Sequence, residues 1–517
     1  MMQDDTATTT ALRWWETRTF AVALVLLSAV PLAWPALPPL ADLPGHMGRW
    51  HIAMAFPTAP DLQRYYAYHW ALIPNLGMDL LVPALARLVD LEPATKLAVI
   101  TIPMLTVAGL LWTAREVHGR VPPTAIFALP LAYAWPFQFG FVNFALSQAL
   151  AFCALALWIR LGRQDRLVLR TIVSVPIAIL VWVAHSFGWG MLGLMAASAE
   201  LARLRGDRRP WLPALGTVAV RCLPLAIPLI VMIVAASLAP AGTGTIGLGA
   251  VDWFDGTAKM LWVLSILRDR WQLFDIASLM PFAALLYVAT RSPRLGFSAL
   301  LGWPALACLA AFAILPRLMM GGAYVDMRMA PAVLMLAVIA IVPSPGHTRF
   351  ATMLAVAGTA FLIARLVGTT VSFGERATEQ ERELAAVVHI PRGATVLSLV
   401  QRPCGNTWSD LRRDALPGMA IVRRDVFTNA QWALEGQQLL RIRYVQAAPY
   451  LADPSQIVLP KVCRTFGSDF DTAIARFPRT AFSYVWTIGF PPGAAKAVDL
   501  TLIWTNGGSA LYRVERR

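Results

Sequence analysis

Long apolar segments alternate with short polar ones along the first two thirds of this chain. Each apolar segment is close to the roughly 20 residues that a membrane-spanning helix requires. By length and hydropathy we predict about eleven spans, at residues 19–37, 94–114, 121–138, 141–160, 168–184, 186–202, 213–239, 274–291, 296–316, 329–344 and 349–368. The pattern therefore predicts an α-helical polytopic membrane protein.

Positive charge is concentrated in every second segment between these spans. The arginines lie before the first span, in the segments 115–120, 160–170, 203–209 and 291–294, and at Arg349. Segments rich in Lys and Arg stay on the cytoplasmic side of a membrane. The alternation predicts that the loop 38–93 and the C-terminal tail lie on the opposite side, the periplasm beside a bacterial inner membrane.

The loop 38–93 is too long for a simple connector. Apolar residues recur at helical spacing from Asp42 to Phe56 and from Gly77 to Val89, with polar residues between them. Amphipathic helices of this kind lie along a membrane surface with the apolar face down. We therefore divide the chain into a transmembrane part, 1–369, that includes this loop, and a tail, 370–517.

The tail has the pattern of a small α/β or α+β domain. A charged, helix-like stretch, "ERATEQERELAAVV", precedes three strand-like runs, "TVLSLV", "AFSYVWTIGF" and "LTLIWTN". Cys404 and Cys463 lie in this tail, where a disulfide bond or two buried thiols are both open. Trp408, Trp432 and Trp486 are most simply explained as core residues, with stacking on a sugar as the alternative.

The composition agrees with the membrane interpretation. Of 517 residues, 57% are hydrophobic and only 14% are charged. The net charge of +14 could indicate a nucleic-acid partner, but its distribution over alternate loops is typical of membrane orientation. The partners predicted from composition are thus membrane lipids and not nucleic acid.

The predicted outer segments contain nearly all of the ionisable groups that could perform chemistry. These are Asp42, His46, Arg49, His51, Asp79, His185, Asp252, Asp255, Arg317, Asp326 and Arg328. A charge close to a bilayer is costly unless it is paired or hydrated, so the groups are expected to face a polar cavity or one another. Asp42 is placed as the N-cap of a helix, or as a general base that takes a proton from an acceptor hydroxyl.

Several stretches resemble one family of membrane proteins. "PPLADLPGHMGRWHIA" is similar to a D-x-P-x-H opening found after the first span of bacterial GT-C-like proteins. "ALIPNLGMDLLVPAL", "FGFVNFALSQALAF", "HSFGWGMLGL" and "GGAYVDMRMAP" also resemble segments of that set. Together with the long first loop and the outer tail, they make residues 19–367 similar to the GT-C superfamily of membrane glycosyltransferases.

The resemblance implies a GT-C-like fold and an enzyme that transfers a sugar from a polyprenyl-phosphate donor, usually with inversion, to a lipid, glycan or protein acceptor. It makes Asp42 the expected catalytic base, with His46 as a helper. Many members place a second acidic residue beside the first, whereas Ala41 and Leu43 flank Asp42 here. No cofactor is therefore assigned, and a divalent cation stays an alternative.

Six further residues are candidates for substrate binding. Guanidinium groups suit a lipid phosphate, which favours Arg317 and Arg328, although Arg328 and Asp326 could neutralise each other and Arg317 could reach the lipid headgroups. His185 and Asn75 could contact the sugar or phosphate, or could serve as turn residues. Arg49 completes the set, with anchoring to headgroups as its alternative.

Two other functions compete with the enzyme. A transporter or flippase for a lipid-linked glycan would carry ionisable groups at several depths of the membrane. Here they gather at the outer span ends, with Arg221 as the main exception. A non-catalytic membrane assembly protein is the other alternative, and it predicts that replacing Asp42 has no effect.

Overall fold

The computed structural model describes residues 12–238, 252–253, 255–319, 322–405, 408–409, 412–434, 438–464 and 467–515. In chain order its α-helices are α1 (Arg18–Leu27), α2 (Val30–Ala33), α3 (Leu43–Ala55), α4 (Pro60–Tyr65), α5 (Gly77–Leu85), α6 (Leu91–His118), α7 (Trp135–Phe139), α8 (Val142–Arg163), α9 (Leu167–Ala184), α10 (Ser186–Gly206), α11 (Trp211–Cys222), α12 (Ile227–Leu238), α13 (Gly256–Leu264), α14 (Gln272–Ala277), α15 (Met280–Arg291), α16 (Ala299–Ile314), α17 (Met329–Ile339), α18 (Thr348–Leu384), α19 (Gly418–Arg424) and α20 (Phe470–Arg476).

Short strands and 3-10 turns connect these helices. The strands are β1 (Tyr66–Tyr68), β2 (Leu295–Phe297), β3 (Leu318–Met319), β4 (Gly322–Ala323), β5 (Ile341–Pro343), β6 (Thr395–Gln401), β7 (Phe427–Thr428), β8 (Leu440–Ile442), β9 (Ile457–Val458), β10 (Tyr484–Ile488), β11 (Leu500–Thr505) and β12 (Ala510–Val514). The 3-10 helices are Trp14–Glu16, Pro123–Tyr133, Leu223–Ala226, Ala385–His389, Val445–Ala447 and Lys461–Cys463.

The predicted membrane-protein class is confirmed. Among the described residues, six helical stretches are long and apolar enough to cross a membrane: Leu91–His118, Val142–Arg163, Leu167–Ala184, Trp211–Val234, Gln272–Arg291 and Thr348–His389. Three shorter apolar stretches, Arg18–Ala33, Ala299–Ile314 and Met329–Ile339, coincide with further predicted spans. The predicted span at 186–202 corresponds to α10.

The segment predicted as a span at 121–138 has another form. Residues Pro123–Tyr133 make a 3-10 helix in which every residue is buried, and it packs against α6, α17 and α18. Pro122, Pro123 and Pro130 explain the difference, because proline has no N–H to donate and its ring obstructs the preceding helical turn. This apolar segment therefore lies in the interior of the helical part.

The tail contains a six-stranded mixed sheet. The order is β11-β12-β10-β6-β7, with β9 also paired to β6. Strand β6 runs parallel to β10, with Leu397 opposite Val485, whereas β12 is antiparallel to its two neighbours. The three predicted strand-like runs correspond to β6, β10 and β11, and the mixed helix and sheet content confirms the predicted type of fold.

The first loop packs against the tail. Helix α3 contacts α19, and β1 pairs with β8. A Cβ atom at Gly418 would clash with the carbonyl group of Pro44, so glycine permits the close approach of the two helices. The surface helix predicted at 42–56 is therefore covered by the tail as well as being amphipathic.

Two further features concern the tail, one its connection to the helical part and one its internal bonding. Helix α18 is unbroken from Thr348 to Leu384 and so runs through the predicted boundary between residues 369 and 370. Within the tail, Cys404 and Cys463 form a disulfide bond, with Cα atoms 5.7 Å apart. The disulfide alternative of the sequence analysis is thus the one that the structure adopts.

Candidate functional site

A cavity of about 450 Å³ lies between the helical part and the tail. Helix α8 starts at this cavity, α9 and α10 meet there, and α17 begins there, so it lies at the helix ends opposite to the arginine-rich turns. The sequence-predicted residues that line it are Asp42, His46, Asn75, His185 and Arg328. Their predicted convergence on one polar cavity is observed.

Backbone contacts fix the position of Asp42. Its N–H donates to the carbonyl oxygen of Phe139 at 2.9 Å, while the N–H of Ala41 donates to the carbonyl of Gln138 at 3.2 Å. Gly140 has φ +102°, and a Cβ there would lie 2.6 Å from the nitrogen of Asp42. Asp42 occupies the predicted N-cap position of α3, but its side chain makes no capping hydrogen bond. Capping therefore does not account for the carboxylate.

Arg328 provides one of the positive charges of the cavity. The residue precedes α17, and its guanidinium lies 4.4 Å from the ring centroid of Phe141. Burial lowers the pKa of Arg328 to about 10, and the Asp42 carboxylate acts in the opposite direction. The side chain thus stays charged at neutral pH, within electrostatic reach of Asp42.

One hydrogen-bond donor of Arg328 and one of His185 face each other in the cavity. Nη1 of Arg328 lies 3.2 Å from Nε2 of His185. The N–H of Phe187 donates to Nδ1 of the same ring at 3.0 Å. A neutral imidazole whose Nδ1 accepts carries its proton on Nε2, so Nε2 then faces the guanidinium as a donor. An anionic oxygen between the two groups would satisfy both donors.

His46 lies one helical turn beyond Asp42. Burial lowers its pKa well below 6.5, the Arg49 charge adds to this effect, and a hydrogen bond to the Gly140 backbone opposes it. The ring stacks on Trp50 and lies 5.2 Å from the centroid of Trp432. His46 is therefore a neutral group at neutral pH that connects α3 to the tail.

The tail contributes residues that the sequence analysis did not single out for the site. Arg402, Arg412, Asp414, Gln438 and Asp453 line the cavity. Trp432, assigned to the core from the sequence, lines it as well, whereas Trp486 is fully buried and Trp408 donates to Asp275 at 2.8 Å. No local signal marks these residues, because they lie more than 350 positions from Asp42 in the sequence.

Arg49 forms an ion pair. Its Nε and Nη2 donate to the two carboxylate oxygens of Asp79 at 3.0 and 3.1 Å, and both side chains are largely buried. Asn143 donates to the same carboxylate and to Asn75. Arg49 does not line the cavity, and Asn75 does so while held by Asn143. The ion pair of Arg49 and Asp79 thus contacts the cavity lining through Asn143, which in turn holds Asn75.

Two other predicted binding residues also lie outside the cavity lining. Arg317 is within 4.0 Å of the carboxylates of Asp252 and Asp255. Asp326 is buried and pairs with Lys259 at 3.3 Å, so its partner is not Arg328. The charges of Arg317 and Asp326 are therefore neutralised by nearby residues, and neither side chain lines the cavity.

The fold matches that of a solved membrane protein. The crystal structure of ArnT from Cupriavidus metallidurans in the apo state aligns with a TM-score of 0.52 at 13% sequence identity, over 96% of this chain and 97% of that chain. ArnT is a GT-C glycosyltransferase. The chain has the GT-C fold. The crystal structure of ArnT from the same organism bound to undecaprenyl phosphate aligns with a TM-score of 0.49, at the same identity and coverage.

The match confirms the GT-C-like fold that the resemblance implied. No protein-family model and no curated protein matches the sequence. At 13% identity the relationship to ArnT is one of fold, and the chemistry of the cavity has to be argued from its own residues.

Cation ligands were one alternative for this GT-C fold. Among the described residues, no group of three or more His, Cys, Asp or Glu side chains is arranged to hold a metal ion. The carboxylates that line the cavity are those of Asp42, Asp414 and Asp453, and Asp414 is paired with Arg402. Metal dependence therefore stays an open alternative without an assigned ligand set.

The two cavity histidines predict a pH-dependent stability. His185 lies between α9 and α10, and burial, with the Arg328 charge, lowers its pKa well below 6.5. Below pH 6.5 the unfolded chain binds protons that the folded histidines do not, so the free energy of unfolding decreases as the pH falls. We expect a lower melting temperature at about pH 5 than at about pH 7 for protein in lipid nanodiscs.

Substitution at His185 provides the check on this pH effect. His185→Gln is expected to reduce the difference in melting temperature between the two pH values, because one buried titrating group is removed. His69→Gln is the matched control, since the His69 side chain is exposed. An unchanged pH difference in His185→Gln would contradict the assignment.

Proposed function

We propose that the protein is a glycosyltransferase that moves a sugar from a polyprenyl-phosphate donor to an acceptor hydroxyl at the periplasmic face of a bacterial inner membrane. One observation carries the proposal: a single cavity contains the Asp42 carboxylate together with the paired donors of Arg328 and His185. The GT-C fold is compatible with this activity.

Arg328 and His185 are proposed to bind the phosphate of the donor lipid. Hydrogen bonds from a guanidinium to phosphate oxygens are short and strong, and a second donor beside it fixes the orientation of the phosphate. The group that departs in the transfer is the polyprenyl phosphate, whose negative charge grows as the bond to the sugar breaks. Donors already held in place stabilise that developing charge.

Asp42 is proposed to act as the general base. The acceptor hydroxyl loses its proton to the carboxylate while its oxygen forms a bond to the anomeric carbon of the sugar. The bond from that carbon to the phosphate oxygen breaks, and its electron pair leaves with the phosphate. In an inverting transfer the base lies on the face opposite to the leaving group. His46, neutral and one turn away, is proposed to orient the acceptor.

The proposed orientation of the protein in the membrane rests on where its positively charged segments lie. The arginine-rich turns after α6, α8 and α10 lie at the helix ends away from the cavity. Positively charged segments favour the cytoplasm, so the cavity and the tail are assigned to the periplasmic side. The disulfide bond of the tail agrees with an oxidising compartment.

Binding of undecaprenyl phosphate tests the phosphate site. In nanodiscs, Arg328→Gln is expected to weaken binding by roughly tenfold to a hundredfold, the usual effect of losing a hydrogen bond to a charged group. Arg317→Gln is the matched control, because Arg317 lies outside the cavity lining and pairs with Asp252 and Asp255.

Two results would contradict the proposed phosphate site. One is equal undecaprenyl phosphate binding by the Arg328→Gln variant and the unaltered protein. The other is weaker binding by Arg317→Gln with Arg328→Gln unaffected, which would move the phosphate to the neighbouring segment. A melting temperature for each variant shows whether the fold is retained.

A further inference from the structure

The part of the cavity wall that the tail supplies has a chemistry of its own. We call five of its residues, Arg402, Asp414, Trp432, Gln438 and Asp453, the tail wall. The tail also lines the cavity with Arg412, Ala415, Leu434, Pro454 and Ile457. The tail wall combines one aromatic ring with carboxylate, amide and guanidinium groups. An aromatic ring packs on the apolar face of a sugar ring, and polar side chains around it bind hydroxyls.

Trp432 is held in a defined position. Its ring lies 5.2 Å from the ring of His46 and contacts Gly45 of α3. Its side chain hydrogen-bonds to Asp453, which also accepts from Nε2 of Gln456 at 2.6 Å. An aromatic platform fixed in this way loses little conformational entropy when a ligand stacks on it.

Gln438 adds a side-chain oxygen that has no hydrogen-bond partner among the described residues. Within the described part of the chain, its Oε1 atom is buried and accepts no hydrogen bond. A buried acceptor without a partner costs free energy, which a ligand hydroxyl would recover. Gln438 thus favours a ligand that carries O–H donors.

The proposed phosphate site and the tail wall have different contacts with the segment that carries Asp42. Arg328 is within electrostatic reach of Asp42, and His46, one turn beyond Asp42, contacts Trp432 of the tail wall. The proposed phosphate site and the tail wall therefore approach the proposed base through different neighbours, Arg328 for the phosphate site and His46 for the tail wall. In an inverting transfer the acceptor enters from the side opposite to the leaving group.

We infer that the tail wall binds the acceptor and that this acceptor is a carbohydrate, whose ring packs on Trp432 and whose hydroxyls bind Asp453 and Gln438. The inference rests on the proposed function, since it takes the Arg328 side as the phosphate site. A fatty acyl chain has no O–H group to donate to the Oε1 atom of Gln438 or to the carboxylate of Asp453, although Leu434, Pro454 and Ile457 of the tail also line the cavity.

An array of immobilised oligosaccharides, probed with the purified full chain in nanodiscs, tests the inference. The unaltered protein is expected to bind a defined set of glycans. Trp432→Ala is expected to weaken that binding by about tenfold or more, as is Asp453→Asn, whereas Trp432→Phe keeps an aromatic face and most of the binding. Trp70→Ala, at an exposed tryptophan of the first loop, is the matched control.

Undecaprenyl phosphate binding, measured on the same samples, distinguishes failure of the carbohydrate site from failure of the phosphate site. It also shows whether the fold of each variant is retained. Trp432→Ala and Asp453→Asn are expected to bind this lipid as the unaltered protein does. If the lipid binds but no glycan binds, or if glycan binding survives both substitutions, the carbohydrate acceptor is overturned and the phosphate site stands. If the unaltered protein binds neither probe, both proposals fail.

Discussion

Replacing Asp42 with asparagine is expected to reduce sugar transfer by roughly a hundredfold to ten-thousandfold, the usual contribution of a general base. The substitution keeps the size of the side chain and its ability to accept hydrogen bonds, but the amide cannot take the proton of the acceptor. Because the Asp42 side chain makes no capping hydrogen bond to α3, the fold is expected to survive. Transfer is measured as loss of the sugar from its polyprenyl-phosphate donor in membranes that contain the variant.

Asp61→Asn is the matched control for this experiment. Asp61 lies in the same loop at the start of α4, is exposed, and does not line the cavity. Its substitution is expected to leave transfer unchanged. Full transfer by Asp42→Asn, with protein present at normal levels, would remove Asp42 as the base.

Replacing Arg412 with methionine is expected to destabilise the protein by about 3 kcal/mol or more, because a buried charge network loses one partner. The Arg412 side chain is fully buried. It donates to the carbonyl of Pro39 at 2.8 Å and to Oε1 of Gln138 at 2.5 Å, and it pairs with Asp269 at 3.2 Å. The melting temperature in nanodiscs measures the loss.

Arg412 also acts on the proposed site through its neighbours. Pro39 and Gln138 belong to the two segments whose backbones hold Asp42, so their release is expected to reduce transfer as well. Arg423→Met is the matched control, since Arg423 also joins the tail to the helical part, through Glu92, but both side chains are partly exposed. Such a pair contributes about 0–1 kcal/mol. Equal decreases of the melting temperature in the two variants would contradict the prediction that the buried contacts of Arg412 stabilise the protein more than the partly exposed pair of Arg423 and Glu92.

Hydropathy and motif similarity were sufficient to predict the membrane-protein class, the GT-C resemblance and the strands β6, β10 and β11. These depend on local composition, which periodicity reports directly. The same criterion could not distinguish a lipid-facing span from Pro123–Tyr133, because a helix buried in protein and one in lipid are both apolar. There the three prolines were the informative signal.

The site could be predicted only in part. Asp42, His46, His185 and Arg328 were found because ionisable side chains are conspicuous beside apolar spans. The partners of Arg49, Arg317 and Asp326 could not be read from spacing, since each ion pair depends on how the helices pack. Trp432 was named from the sequence, with stacking on a sugar as the alternative to core packing. The other residues of the tail wall were missed for the same reason as the ion pairs, because nothing near them in the sequence indicates that this part of the tail meets α3.

The contact between α3 and α19 has a consequence for the order in which the protein is made. Arg412 follows Asp42 by 370 residues, so at about 5–20 residues per second the ribosome needs roughly 20 to 75 s to progress from one to the other. During that time α3 has no tail to cover it, and the face that carries Gly45 and Gly48, which later lies against Trp432 and Gln431, is open to lipid or to chaperones. The cavity is therefore among the last features of the molecule to form, and it is completed only after the spans are in place.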